Sequence, residues 1–399
     1  LYLLLNAGRS FVTNFRICIV AAEPSGDLLA REVVDAIRQR AEDVEFEGIG
    51  GQELASVGIA SPFDISPLSV LGFAEGIRAY GTVVKLADAA ADAILEFKPD
   101  AVVLVDSWGF TLRVAQRVRT RAPEIRLIKL IGPQVWATRP GRAKTLAAAG
   151  DHLLCMHEME VPYYEALGLP VTVIGNPALS RTIAGNGARF REAHGIVHDE
   201  KMVLVLPGSR KSEVARVAPA LVGAARRIRD ALPGVRIVFS PAGSIMKMFD
   251  EAFPDVGEWA VVQRSPAERY DAFAAADLAL ACSGTVTSEV AMQGTPMIVA
   301  YKTGWLTWAL ARGLLYQKRH ITLLNIASDD QEVVPEFVQT QQKEELIAEK
   351  ALTWLENPAE LARQRDAQRR ALLRMQGPGV PAAEISADVI LSIARRKSV

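Results

Sequence analysis

The sequence predicts an α/β fold built as two Rossmann-like, doubly wound domains facing each other across a cleft. Three observations predict it. Apolar runs of buried-strand length recur along the chain, each followed by a turn and a stretch of helical spacing. Two of these units, Met202–Val214 (MVLVLPGSRKSEV) and Asp277–Glu289 (DLALACSGTVTSE), have the character of anion sites at helix starts. The series also breaks once, in the Gly-, Asn- and Arg-bearing loop Ser180–Ala188, and restarts at Met202. A boundary near Asn176–Ala184 divides the chain into a first domain over 1–180, a second over 181–380 and a closing helix in 381–399.

Bulk composition bounds the function. With 50% hydrophobic and 23% charged residues and a net charge of −1, the 399-residue chain has ample core and no basic excess for nucleic acid. Cys18, Cys155 and Cys282 are odd in number and far apart, which gives no disulfide framework and no metal spacing and fits a reducing cytosol. The start LYLLLNAGRSFVTNF lacks a basic segment ahead of its apolar residues, so it reads as a leader or a start-site artefact. No run reaches the ~18 uncharged apolar residues of a spanning helix, so any membrane contact comes from one side.

In the first half, Phe15–Ala22 is a buried strand and Leu28–Arg38 an amphipathic helix, with Ser25 or Asp27 available as its cap. Glu23 lies between them, at the carboxyl end of the strand, where open parallel sheets bind ligands. Val44–Gly51 is a strand ending in a glycine turn, and Tyr80–Phe97 a helix. Pro99–Asp106 is a further strand, and Asp106 ends it beside Ser107-Trp108-Gly109-Phe110. Asp106 is a candidate base in a cleft or a cap for the helix Thr111–Arg119. Strands follow at Ile125–Ile131, Asp151–Met156 and Pro170–Pro177, with a basic helix start at Arg139–Lys144. His152 and His157 find no third ligand at metal spacing and read as core or surface histidines.

In the second half, Met202–Leu206 is a strand broken by Pro207, Gly208 and Ser209, and helical character begins at Val214. Backbone N–H groups and the helix dipole make that turn a candidate pyrophosphate cradle, with Arg210 and Lys211 adding fixed charge. Ser283, Gly284 and Thr285 form a second turn of this kind. Glu289 beyond them is placed to accept two ribose hydroxyls, or simply to complement the helix dipole. Val235–Ser240, Trp259–Gln263, Met297–Tyr301 and Ile321–Leu324 read as strands, and Asn325 follows the last of these. Trp305–Tyr316 is almost wholly apolar, carrying Trp305, Leu306, Trp308, Leu310 and Leu315. Taken alone it reads as a packed core helix, with a lipid-facing or membrane-facing surface as the other possibility. Gln342–Leu355, Pro358–Met375 and Ala382–Lys397 are helices.

Seven of these stretches together resemble the lipid-A-disaccharide synthase family, and they occur in family order. They are EPSGDLLA from Glu23, GIGGQELASVGI from Gly48, LSVLGFAE from Leu68, QVWATRPGRAK from Gln134, LPGSRKSEV from Leu206, SGTVTSEVAMQGTPMIVAYK from Ser283 and LLNIASDDQEVVPEFVQ from Leu323. The chain departs from the family pattern in SWGFT after Asp106, in QVWATR and in CMHEME (Cys155–Glu160). The first two departures flank the expected acceptor side.

The resemblance implies an inverting glycosyltransferase of the glycosyltransferase-B architecture. Its donor would be UDP-diacylglucosamine and its acceptor a lipid monosaccharide phosphate, at the cytoplasmic face of an inner membrane as a peripheral protein. It marks Glu23, Asp106, Arg210 and Asn325 as functional positions and shifts Trp305–Tyr316 toward acyl-chain or membrane contact. No cofactor is expected, and no DxD-type acidic pair stands out to carry a metal. Charge on the departing UDP would then fall to Arg210, Lys211 and the turns Gly208–Ser209 and Gly284–Thr285. Asp106 or Glu23 would take the acceptor proton. The alternatives are a UDP-sugar epimerase or transferase with another acceptor, and a binding protein that lost its base. The sequence leaves a homo-oligomer open.

Overall fold

The computed structural model describes residues 15–69, 80–305, 308 and 318–395. The apolar start, most of the run from Leu68 to Gly76, and Leu306, Leu310 and Leu315 lie outside the described residues. The chain divides into two compact units, Leu1–Pro177 with Gly377–Val399, and Ala178–Gln376.

Each unit holds one parallel sheet of six strands. In the first, β1 (Phe15–Ala21), β2 (Val44–Ile49), β3 (Ala101–Val105), β4 (Arg126–Leu130), β5 (His152–Cys155) and β6 (Val171–Val173) run in the order β2-β1-β3-β4-β5-β6. In the second, β7 (Met202–Leu206), β8 (Arg236–Phe239), β9 (Val261–Val262), β10 (Leu278–Cys282), β11 (Met297–Tyr301) and β12 (Glu336–Val338) run β12-β11-β10-β7-β8-β9. Counted within its unit, the second order is that of a dinucleotide-binding sheet, and the first reverses between β1 and β3 as flavodoxin-like sheets do. Such reversal points are where ligands sit in open α/β sheets.

The apolar runs are continuous because helices cover both faces of each sheet. Along β7, Val203 and Val205 join one core while Met202, Leu204 and Leu206 join another. Along β1, Ile17, Ile19 and Ala21 separate from Cys18, Val20 and Ala22 in the same way. Each fully buried side chain of this size stabilises the fold by about 1.5–3 kcal/mol.

The closing helix Ala382–Arg395 belongs to the first unit. Its Ala387, Ile390 and Leu391 pack into the core formed by Leu29, Val33 and β1, and Arg40 pairs with Asp388 at 2.6 Å. Gly377, where the chain rejoins this unit, has φ +70 and lies so close to Gly175 that a Cβ would stand 2.6 Å from its Cα.

Three local expectations are corrected. Ile321–Leu324 is not a strand, because Leu323–Ala327 is a short helix, and the edge strand β12 comes later. The helix after Pro207–Arg210 starts at Lys211 and is interrupted at Val217 before Ala218–Ala231 continues. Asp27 does not cap its own helix. Its buried carboxylate accepts the N–H groups of Gly51 (2.9 Å) and Glu53 (2.8 Å), tying down the glycine turn after β2.

Candidate active site

In the second sheet β7 and β10 are neighbours, with Leu206 opposite Ala281, so the turns after them leave the sheet side by side. Gly208, Ser209, Arg210, Ser283, Gly284 and Thr285 line one cavity of about 360 Å³. Gly208 has φ +114, and a Cβ there would stand 2.7 Å from the Glu213 Cβ, so glycine is required.

The sequence reading left the amides of this turn to a ligand, but Glu213 already holds two of them. Its buried carboxylate accepts from Ser209 N–H (2.8 Å), Arg210 N–H (3.2 Å) and Arg210 Nη1 (2.8 Å). The Arg210 side chain is 75% exposed, so the rest of its five-donor fork faces solvent. Lys211 is exposed and does not line the cavity. Glu289 does, and Arg269 pairs with it at 2.6 Å. Gln263 completes one wall. It accepts from Ser240 Oγ at 2.8 Å and donates to the Ser265 carbonyl. Sequence reading missed Glu213, Gln263 and Arg269. Glu213 carried a signal, standing three residues after the cap position as in a capping box. Gln263 and Arg269 are brought in by the β8–β9 crossover, which no local pattern announces.

In the first sheet Ala21 lies opposite Val105, so Glu23 and Asp106 follow adjacent strands out of the sheet at its reversal point. Glu23 stands at the cap position of the helix Pro24–Arg38 and Ser107 at that of Trp108–Arg121, yet neither side chain makes a cap bond. Capping therefore does not explain Glu23, and the cap position beside Asp106 falls to Ser107. Burial, then the charge of Asp106, pushes the Glu23 carboxyl up, while a Ser107 hydrogen bond and the charge of Lys129 pull it back.

Asp106 and Ser107 both have φ +40. Non-glycine residues in this region cost of order 1–3 kcal/mol each and persist only where their surroundings enforce them. Here the Asp106 N–H donates to Leu130 O (2.8 Å), and its carbonyl accepts from Thr111 Oγ1 (2.7 Å) and from Lys129 Nζ. Lys129 is buried on β4 and bonds Thr111 Oγ1 as well, at 2.8 Å. Burial brings its ammonium down to about 7 against the opposing pull of Asp106 and Glu23. Sequence reading missed Lys129, because one polar residue inside an apolar strand carries no motif. Beyond β4, Arg142 stacks 5.4 Å over Trp108 and donates its N–H to the Arg139 carbonyl (3.0 Å). Neither arginine has a carboxylate partner among the described residues.

Asn325, which the resemblance marks as a functional position, lies on the helix Leu323–Ala327. It is fully buried, and its amide donates to Val334 O (2.8 Å) and Glu336 Oε1 (2.9 Å) while accepting from Val333 N and Val334 N (2.7 Å each). With all four sites used, it joins the helix Leu323–Ala327 to the strand β12. Trp305 is 63% exposed and Trp308 half-buried. No helix among the described residues is long and apolar enough to cross a membrane. No group of three or more His, Cys, Asp or Glu side chains among them is arranged to hold a metal ion.

Two six-stranded parallel sheets in an α/β chain define the architecture shared by glycosyltransferases of the B class and UDP-sugar epimerases. The S. aureus protein MnaA, solved with UDP, shares this fold at TM-score 0.63 and 13% identity over 96% of this chain and 99% of that one. A glycosyltransferase from Rickettsia africae does so at TM-score 0.57 and 11% identity, over 96% and 100%. A family model described as lipid-A-disaccharide synthetase matches residues 17–386. The lipid-A-disaccharide synthase of Rhodospirillum centenum is 36% identical over 386 residues, 96% of each chain. The chain belongs to the lipid-A-disaccharide synthase family, whose work lies in lipid A biosynthesis.

Proposed function

We propose that the chain transfers 2,3-diacylglucosamine from UDP-2,3-diacylglucosamine to 2,3-diacylglucosamine 1-phosphate. The products are a β-1,6-linked disaccharide 1-phosphate and UDP. The cavity at the second sheet's reversal point carries the reading, since it gathers two helix-start turns, an arginine fork and a carboxylate in the space of a nucleotide.

In this reading Arg210, oriented by Glu213, meets the charge that grows on the β-phosphate, together with the amides of Gly284 and Thr285. Lys211 adds to the field from outside the cavity. Glu289, held by Arg269, accepts the ribose hydroxyls. Asp106 or Glu23 removes the proton from the acceptor 6-hydroxyl as it attacks the anomeric carbon opposite UDP, which inverts that centre. The acceptor phosphate falls to Arg139 and Arg142, which have no carboxylate partner among the described residues. Trp305 and Trp308, with Leu306, Leu310 and Leu315, meet acyl chains at the cytoplasmic face of the inner membrane.

Incubation of labelled donor with acceptor tests the reading. A labelled disaccharide and stoichiometric UDP are expected. An epimerised sugar formed without acceptor, or transfer to a water-soluble sugar alone, would overturn it. Arg210→Ala should lower kcat/KM by about 10²–10³, and Asp106→Asn or Glu23→Gln by about 10²–10⁴. Whichever acid is the base gives the larger loss.

A further inference from the structure

Lys129 lies in the middle of a parallel sheet. Its register partners are Leu104 on β3 and Leu153 on β5, and its chain neighbours are Ile128 and Leu130. An ammonium buried among such residues costs several kcal/mol unless it is paired, and a leucine or methionine would fill the place without that cost. The charged groups acting on it are Asp106 and Glu23, and those acting on Glu23 are Asp106 and Lys129. Lys129 is therefore the buried cation that acts on Glu23 at this reversal point.

Geometry links the same lysine to the strained turn. Its Nζ donates to the Asp106 carbonyl and to Thr111 Oγ1, and Thr111 Oγ1 in turn bonds that carbonyl. The carbonyl belongs to the first of the two consecutive residues held at φ +40. We propose that Lys129 is a positioning residue for the acid pair: it fixes the Asp106–Ser107 turn through the backbone and sets a buried positive charge behind that turn. The proposal rests on the reading of Glu23 and Asp106 as the basic side of the transfer reaction. Lys129 itself acts through them.

The loss of proton affinity that a nearby cation confers sets the sign. Removing the cation favours the protonated, inactive acid, so the acid limb of the rate profile moves to higher pH.

Lys129→Met and Thr111→Val are compared with wild type in two measurements. One is kcat/KM for transfer against pH, and the other is the carboxyl ¹³C titration of Glu23, which needs no substrate. In Lys129→Met, the Glu23 titration and the acid limb should both move to higher pH, and by the same amount. In Thr111→Val, which removes a hydroxyl and leaves the charge, neither should move. A Lys129→Met protein that is slower by one factor at every pH, with Glu23 titrating as in wild type, would reduce Lys129 to a scaffold and overturn the proposal. If Lys129→Met does not fold, wild type decides. The Glu23 signal should show a second inflection where the Lys129 ¹³Cε signal titrates, and its absence would equally overturn the proposal. A wild-type protein without transfer activity would sink the functional reading while leaving the titration result standing.

Discussion

At the scale of single residues, His157 stands out among the buried ionisable side chains of the described residues. That side chain is 2% exposed, and both ring nitrogens lack a hydrogen bond. Burial brings it down to about 4, and burial pushes nearby Glu160 up to about 7 even though its carboxylate accepts two amides. Unfolded, they would titrate near 6.5 and 4.5. Between pH 4.5 and 6.5 the folded chain therefore keeps a proton on Glu160 and none on His157, and the unfolded chain does the reverse. Proton counts match, so the two contributions to the pH slope cancel. His157→Gln removes one side of this balance. Relative to wild type, the variant should lose about 3 kcal/mol of stability as pH rises from 4.5 to 7. Urea midpoints at the two pH values read this, and a variant with the wild-type slope would disprove it. Sequence alone assigned His157 to core or surface and could not choose, since a lone histidine carries no periodic signal.

At the scale of elements, legibility followed the hydrophobic pattern. β3, β7 and β10 are unbroken apolar runs, and each is buried along its whole length. Leu323–Ala327 is also apolar and short, and periodicity cannot tell such a run from a strand. Its helix is decided by contacts nine to fifteen residues away, chiefly Asn325 with Val334 and Glu336 with the amides of Ile321 and Thr322. The closing helix was legible as a helix, but its attachment was not. Its burial against Leu29 and Val33 makes it part of the first core. Ile390→Ala should destabilise the first unit by about 3 kcal/mol through the cavity it leaves. UDP affinity, assigned to the second unit, should stay unchanged. Denaturation and UDP titration calorimetry check the two halves of that statement, and a loss of UDP binding in the folded variant would contradict it.

At the scale of the whole molecule, the proposed reaction draws on residues of both sheets. The acids Glu23 and Asp106 come from the first, and the turns that suit a nucleotide diphosphate come from the second. UDP alone should therefore slow amide exchange in Gly208–Arg210 and Ser283–Glu289, and not in Glu23–Gly26 or Asp106–Trp108. Hydrogen exchange by mass spectrometry reads this directly. Protection at the acid pair with none at the second-unit turns would reverse the assignment.

What the sequence determined by itself was the alternation of strands and helices, the two-sheet class and the turns that carry Gly208, Ser283 and Asp106. These are local matters, set by runs of apolar residues and by residues that break them. The tertiary structure decided which strands lie side by side, and hence which distant residues meet. It brought Glu213 into the turn, Arg269 to Glu289 and Lys129 to the Asp106 carbonyl. It also withdrew Asn325 into a closed set of hydrogen bonds. A side chain's charge and bonding capacity can be read from its letter, but its partners are fixed only when crossovers order the strands, because burial makes each polar group take the partner that packing provides.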